Sequence, residues 1–243
     1  FEVNKGETVA VVGESGCGKT TTGKCILRIN KPTDGKIYYK GKEIAGMSDK
    51  EFAPYRREIQ LIFQDPYSSL DPRNSVFTIL KEAICADGRR HGEKEIVNRV
   101  NELLYTVDLD PAMSHRFPHE MSGGQRQRLG IARALACNPE LIVCDEEPVS
   151  ALDVSIQAQI INLFKKIQRE TGITSLFVAH DLAVVRHISD NIGVMYLGHL
   201  VEVTKATELY LDPEHPYTQA LLSAIPITDY YEEKKRSRIV LSG

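Results

Sequence analysis

The chain has 243 residues, 42% of them hydrophobic and 26% charged, enough for one sizeable α/β core, perhaps with a subdomain. A net charge of −3 gives no global case for nucleic-acid binding, and no apolar run reaches the roughly 18 residues that would span a bilayer. There is no secretory signal, and the five cysteines are scattered, odd in number and without a C-x-x-C pair, so they read as free thiols of a cytosolic protein.

Phe1-Glu2-Val3 reads as the tail of an earlier strand, which gives the start a truncated look. Glu7–Val12 is apolar and β-branched, the pattern of a strand. Gly13-Glu14-Ser15-Gly16-Cys17-Gly18-Lys19-Thr20 follows and fits G-x-x-x-x-G-K-[ST], and Thr21–Leu27 then reads as a helix. After the turn Pro32–Gly35 comes a short strand, Lys36–Lys40, and a second candidate, Glu58–Phe63, ends at Gln64-Asp65-Pro66. Residues 76 to about 118 are polar and helical, with breaks at Gly88, Gly92, Pro111 and Pro118, and read as an insertion into the core. Ser122 caps a helix that runs to Cys137. Leu141–Cys144 is a continuous apolar run, as a strand buried in a parallel sheet should be. Helix Val154–Glu170 and strand Thr174–Ala179 follow, and this alternation predicts a mainly parallel sheet covered by helices. The basic run Lys234-Lys235-Arg236 reads as solvated surface in a charged tail.

Strand, glycine loop and helix in succession form a cradle for nucleotide phosphates. Gly13, Gly16 and Gly18 permit backbone conformations that side chains resist, so the N–H groups of Glu14 through Thr21 can turn inward at the positive end of a helix. Lys19 would reach the β- and γ-phosphates, and the Thr20 hydroxyl would ligate Mg²⁺. Asp145 ends the strand Leu141–Cys144, where a carboxylate faces the ligand crevice of an open α/β sheet and suits Mg²⁺. Glu146 and Glu147 come next, and either could polarise attacking water. Gln64, closing another strand, could touch both metal and water, and His180, after Thr174–Ala179, could hydrogen-bond the γ-phosphate. Ser122-Gly123-Gly124-Gln125 opens a helix and offers a second anion site, which suggests service to another subunit's nucleotide.

Taken in order, these pieces resemble the nucleotide-binding domain of ABC transporters. GESGCGKT looks like Walker A, Gln64 in FQDP like the Q-loop, MSGGQRQR like the family signature with Met121 in place of the usual Leu, and LIVCDEE like Walker B. Ser150–Asp153 looks like the D-loop and His180 in FVAHD like the switch histidine. FQDPYSSLDPR, LIVCDE followed by PVSALDVSIQAQ, and HPYTQALLSAIP look like the ATP-binding subunit of bacterial oligopeptide or dipeptide importers; importers of nickel and other small solutes share that subfamily.

The resemblance implies a P-loop NTPase fold: a mainly parallel sheet flanked by helices, an N-terminal antiparallel β part and an inserted helical subdomain. Residues 1–75 and 119–243 would form the core, about 76–118 the insertion and 204–243 a C-terminal helical tail. It implies ATP and Mg²⁺, a head-to-tail pair with a second ATPase subunit, permease subunits, an indirect solute-binding protein, no nucleic acid, and a peripheral place on the cytoplasmic face of the bacterial membrane. Each ATP would lie between Gly13–Thr21 of one subunit and Ser122–Gln125 of the other.

Three departures stand out. The family's adenine-stacking aromatic would lie upstream of Phe1, and a cysteine-bearing tail found in some relatives would lie past Gly243. The family also has Asp-Glu-Pro after the Walker B strand, where this chain has Asp145-Glu146-Glu147-Pro148. Counted from the strand the catalytic carboxylate is Glu146; counted back from Pro148 it is Glu147. The strand-based count is favoured, because a loop can absorb a bulge. Two other readings are a soluble ABC-type ATPase acting on DNA or ribosomes, and a nucleotide-sensing module in which the extra glutamate impairs hydrolysis.

Overall fold

A computed structural model describes residues 1–63, 69–86, 88–145, 154–180 and 182–225. Thr8–Val12 forms β1, buried at every position. It lies between Thr174–Ala179 (β6) and Asn191–Tyr196 (β7), parallel to both. Ile59–Ile62 (β4) and Leu141–Cys144 (β5) extend the parallel sheet on one side, and His199–Lys205 (β8) runs antiparallel to β7 at the other edge. The order is β4-β5-β6-β1-β7-β8. Continuous apolar sequence in β1, β5 and β6 follows from this place, since a parallel strand covered on both faces has no solvent side.

Alternate residues of the strands face two cores. Val9, Val11, Ile59, Val143 and Leu176 pack with Ile44 and Phe52 on one face. Ala10, Val12, Ile62, Ile142, Cys144, Phe177 and Ala179 join the larger core on the other. The smaller core is roofed by the two-stranded antiparallel hairpin Tyr38–Tyr39 (β2) and Lys42–Glu43 (β3) and by the short helices Asp49–Phe52 (α2) and Tyr55–Glu58 (α3). The predicted strand Lys36–Lys40 thus shrinks to its two tyrosines. Burial, with the Glu58 and Glu140 carboxylates, outweighs the opposing charge of Lys40 and leaves the Tyr39 phenol pushed up to about 12.

Lys19–Ile26 (α1) follows β1. The segment 76–118 holds Val76–Cys85 (α4), Glu93–Thr106 (α5) and two 3₁₀ turns, Pro111–His115 and Pro118–Glu120. Ile79, Leu80, Val100, Leu103 and Leu104, at helical spacing, are buried in the larger core. Gly123–Leu135 (α6) carries that load to the sheet, and Val154–Thr171 (α7) and Leu182–Ile188 (α8) cover the larger core. Asp108, just past α5, accepts from Arg128 of α6 at 3.1 Å and from Lys166 of α7 at 3.0 Å. Burial alone would raise its carboxyl pKa, and those two cations outweigh it and hold it below the usual range.

Two further expectations change. Phe1–Val3 is not a strand. Residues 204 and 205 of the expected tail 204–243 belong to β8; Ala206–Leu209 (α9) and Pro216–Ser223 (α10) follow, and residues 226–243, with Lys234-Lys235-Arg236, lie outside the described residues. The β7–β8 hairpin has no counterpart in the sequence reading, because its exposed edge strand lacks a strong apolar alternation.

Candidate functional site

The carboxyl ends of β4, β5, β6 and β1 lie along one edge of the sheet, with Ile62 beside Cys144, Cys144 beside Phe177 and Ala179 beside Val12. Gly13, Asp145 and His180 each follow directly on such an end, where an open α/β sheet presents its ligand crevice. Sequence order had placed these residues far apart; the parallel register brings them to one edge.

The loop between β1 and α1 is tightly held. A Cβ at Gly13 would stand 2.1 Å from the Met195 carbonyl oxygen, so only glycine permits this approach. Gly18, at φ 108°, is the N-cap of α1 and supplies no side chain, so the first turn begins with N–H groups that no side chain caps. Ser15, Gly16 and Thr21 are exposed. The Cys17 N–H donates to Glu14 O at 3.3 Å, and the Cys17 carbonyl accepts from Gly198 N–H at 3.1 Å. The Glu14 N–H, expected to turn inward with those that follow it, instead donates to Tyr217 Oη at 2.9 Å. The cradle therefore leans on the β7–β8 turn and on α10.

Lys19 is 3% exposed. Its ammonium donates to Gly13 O at 2.8 Å and Glu14 O at 2.9 Å. Among the described residues no carboxylate lies within ion-pair distance of it. A buried ammonium met by two carbonyls and, at 3.7 Å, by the Cys17 sulfur, with no carboxylate opposite, attracts an anion, and with the uncapped start of α1 this loop fits a polyphosphate. Asp145 lies across, its side chain 14% exposed and its Oδ2 4.0 Å from Lys24 Nζ of α1. Burial, reinforced by the Asp145 charge, pushes the Cys144 thiol well up, so it is an inert core group. The Thr20 hydroxyl and Asp145 carboxylate are hard oxygen donors that fit Mg²⁺. Among the described residues no group of three or more His, Cys, Asp or Glu could hold a metal alone. His180 is exposed at the end of β6. Gln64, Glu146, Glu147 and the segment Ser150–Asp153 lie outside the described residues.

Ser122 is exposed and caps α6. Its Oγ accepts from Gln125 N–H at 3.3 Å while Gln125 Oε1 accepts from Ser122 N–H at 2.9 Å, a reciprocal capping box. Gly124 has a packing reason as well: a Cβ there would meet Ile156 Cγ2 of α7 at 2.8 Å. Arg126 folds back to donate to the Pro118 and Met121 carbonyls, which sets the entry to the helix. β5 and β6 separate β4, the strand beside α6, from β1 and its loop. Sequence reasoning missed Met195, Gly198 and Tyr217 as supports of the loop; the one available signal was the string HPYT, quoted above only for its resemblance.

A family model described as "ABC transporter" matches residues 1–149. The chain is 54% identical over 244 residues to the oligopeptide transport ATP-binding protein AppF of Bacillus subtilis (strain 168), covering 100% of this chain and 74% of that protein. It is 54% identical over 239 residues to the oligopeptide transport ATP-binding protein OppF of the same organism, covering 98% and 78%. Among solved structures it resembles the ATP-binding cassette MJ0796, a dimer in a post-hydrolysis state bound to ADP and Pi. The TM-score is 0.75 at 31% identity, over 85% of this chain and 88% of that one.

Proposed function

The chain belongs to the ABC transporter family, and from that premise we propose that it is the ATP-binding, ATP-hydrolysing subunit of an importer. Its cargo is oligopeptides, dipeptides or related small solutes, taken up through a membrane permease. The observation that carries the reading is the loop Gly13–Thr21, a glycine cradle with a buried ammonium at the sheet's carboxyl edge. The cargo class rests on two relatives named for oligopeptide transport.

In this reading the N–H groups of Ser15 through Thr21 cup the phosphates, and Lys19 moves from the Gly13 and Glu14 carbonyls to β- and γ-phosphate oxygens. Thr20, Asp145 and Gln64 would hold Mg²⁺, which when bound would neutralise charge on the phosphates. Glu146 takes a proton from the water that attacks the γ-phosphorus; the bond to the β–γ bridging oxygen breaks, and ADP and phosphate leave. Glu147 is the alternative base. His180 hydrogen-bonds the γ-phosphate. Ser122–Gln125 of a second ATPase subunit, head to tail, closes over the nucleotide with its helix start. The dimeric form of the MJ0796 cassette supports that pairing. Closure would move the segment 76–118, and residues near Gln64 would pass the motion to permease subunits on the cytoplasmic face of the membrane; a solute-binding protein would act only through the permease. Among the described residues no helix is long and apolar enough to cross a membrane.

Phosphate release from MgATP tests the roles. Lys19→Ala abolishes turnover, Glu146→Gln reduces it by roughly 10²-fold or more, the scale of general-base loss, and Glu147→Gln retains most of it. Full activity in Lys19→Ala would contradict the cradle; loss in Glu147→Gln with activity kept in Glu146→Gln would move the base by one position.

A further inference from the structure

The string His215-Pro216-Tyr217-Thr218 has no part in the chemistry just described, yet it reaches the phosphate loop. Tyr217 is 3% exposed, and its ring packs on Tyr196, the last residue of β7, with centroids 4.2 Å apart and planes 34° apart. Its Oη accepts the Glu14 N–H at 2.9 Å across 203 positions of sequence. The tyrosine is itself braced. Pro216 sits in the first turn of α10, and His215 Nδ1 accepts the Tyr217 N–H at 3.1 Å. The Glu202 carboxylate of β8 accepts from Glu214 N–H at 3.1 Å and His215 N–H at 3.0 Å. Burial pushes the phenol above its ordinary range, so the neutral O–H form persists at physiological pH.

We propose that Tyr217 is a positioning residue for the phosphate loop: by holding the Glu14 N–H it keeps the backbone that follows in the shape a polyphosphate needs. The inference rests on the nucleotide-binding reading above. The loop has positive-φ glycines at 13, 16 and 18 and would otherwise sample many conformations. A ligand that binds only one of them loses apparent affinity in proportion to the fraction of time it is absent. Once bound, the phosphates order the loop themselves, so the loss falls on binding and not on the chemical step.

The test is Tyr217→Phe in the full chain, which keeps the ring and removes only the hydroxyl that accepts the Glu14 N–H. MgATP affinity by calorimetry is expected to weaken about three- to tenfold, the net worth of one hydrogen bond expressed as an equilibrium factor. In turnover the loss is expected in KM and not in kcat, and exchange of the Glu14 amide in the nucleotide-free protein is expected to quicken. Tyr217→Leu, which also removes the ring contact with Tyr196, is expected to weaken affinity at least as much. Wild-type affinity and Glu14 protection in Tyr217→Phe, with loss confined to Tyr217→Leu, would reduce Tyr217 to core packing and overturn the proposal. A fall in kcat at unchanged KM would overturn it as well. Failure of the unaltered chain to bind MgATP would overturn the underlying reading before Tyr217 is at issue.

Discussion

At the scale of single residues, the loop after β1 was legible because its determinants are consecutive. Glycines at 13, 16 and 18 and a lysine at 19 specify a backbone shape and a charge within one turn of chain, and no distant residue is needed to see them. What was not legible is why Gly13 must be glycine: the reason is Met195, on a neighbouring strand, whose carbonyl oxygen would stand 2.1 Å from any Cβ. Gly13→Ala is therefore expected to destabilise the fold by about 3 kcal/mol, the upper end of ordinary overpacking, because the obstacle is backbone and cannot rotate away. Chemical denaturation measures this directly, and a variant as stable as the parent would mean that the loop yields freely. Tyr217 was illegible for the same reason as Met195, since its partner Glu14 lies at the other end of the chain.

At the scale of elements, the parallel strands were readable from continuous apolar runs, and α6 from its serine cap. β8 was not, because an edge strand with Leu200 and Val203 partly exposed mixes polar and apolar residues without a burial rule to follow. The attachment of the segment 76–118 to the core is a second matter that no local pattern reveals. Asp108 sits between Arg128 and Lys166, on helices well separated in sequence. Its carboxyl is held below the usual range by those cations against the opposing effect of burial. A depressed carboxyl pKa stabilises the fold fully above the unfolded value, near 4, and the contribution disappears as pH falls through the lowered folded value. Asp108 is 52% exposed, so screening limits the two pairs to about 1 kcal/mol together. Asp108→Asn is expected to lower the melting midpoint by about 2–4 °C at pH 7, and the gap to the parent should close in acid. Equal midpoints at pH 7 would show that this junction does not help hold the segment.

At the scale of the molecule, one geometric fact organises the rest. Parallel strands in the order β4-β5-β6-β1 bring their carboxyl ends to one edge, so Gly13, Asp145 and His180 converge although 167 positions separate the first from the last. The helix that Ser122 caps packs beside β4, with β5 and β6 lying between that strand and β1; in the proposed reading a second chain supplies that helix start to the nucleotide. The sequence order of the motifs pointed to this arrangement through family resemblance; periodicity alone predicted a parallel sheet without its strand order. The claim on which everything turns is that the loop Gly13–Thr21 grips a magnesium-bound nucleoside triphosphate. Titration calorimetry of MgATP into the full chain measures it, with Lys19→Ala titrated in parallel. The account predicts saturable binding of one nucleotide per chain that Lys19→Ala loses; no heat in either, or equal affinity in both, would contradict it.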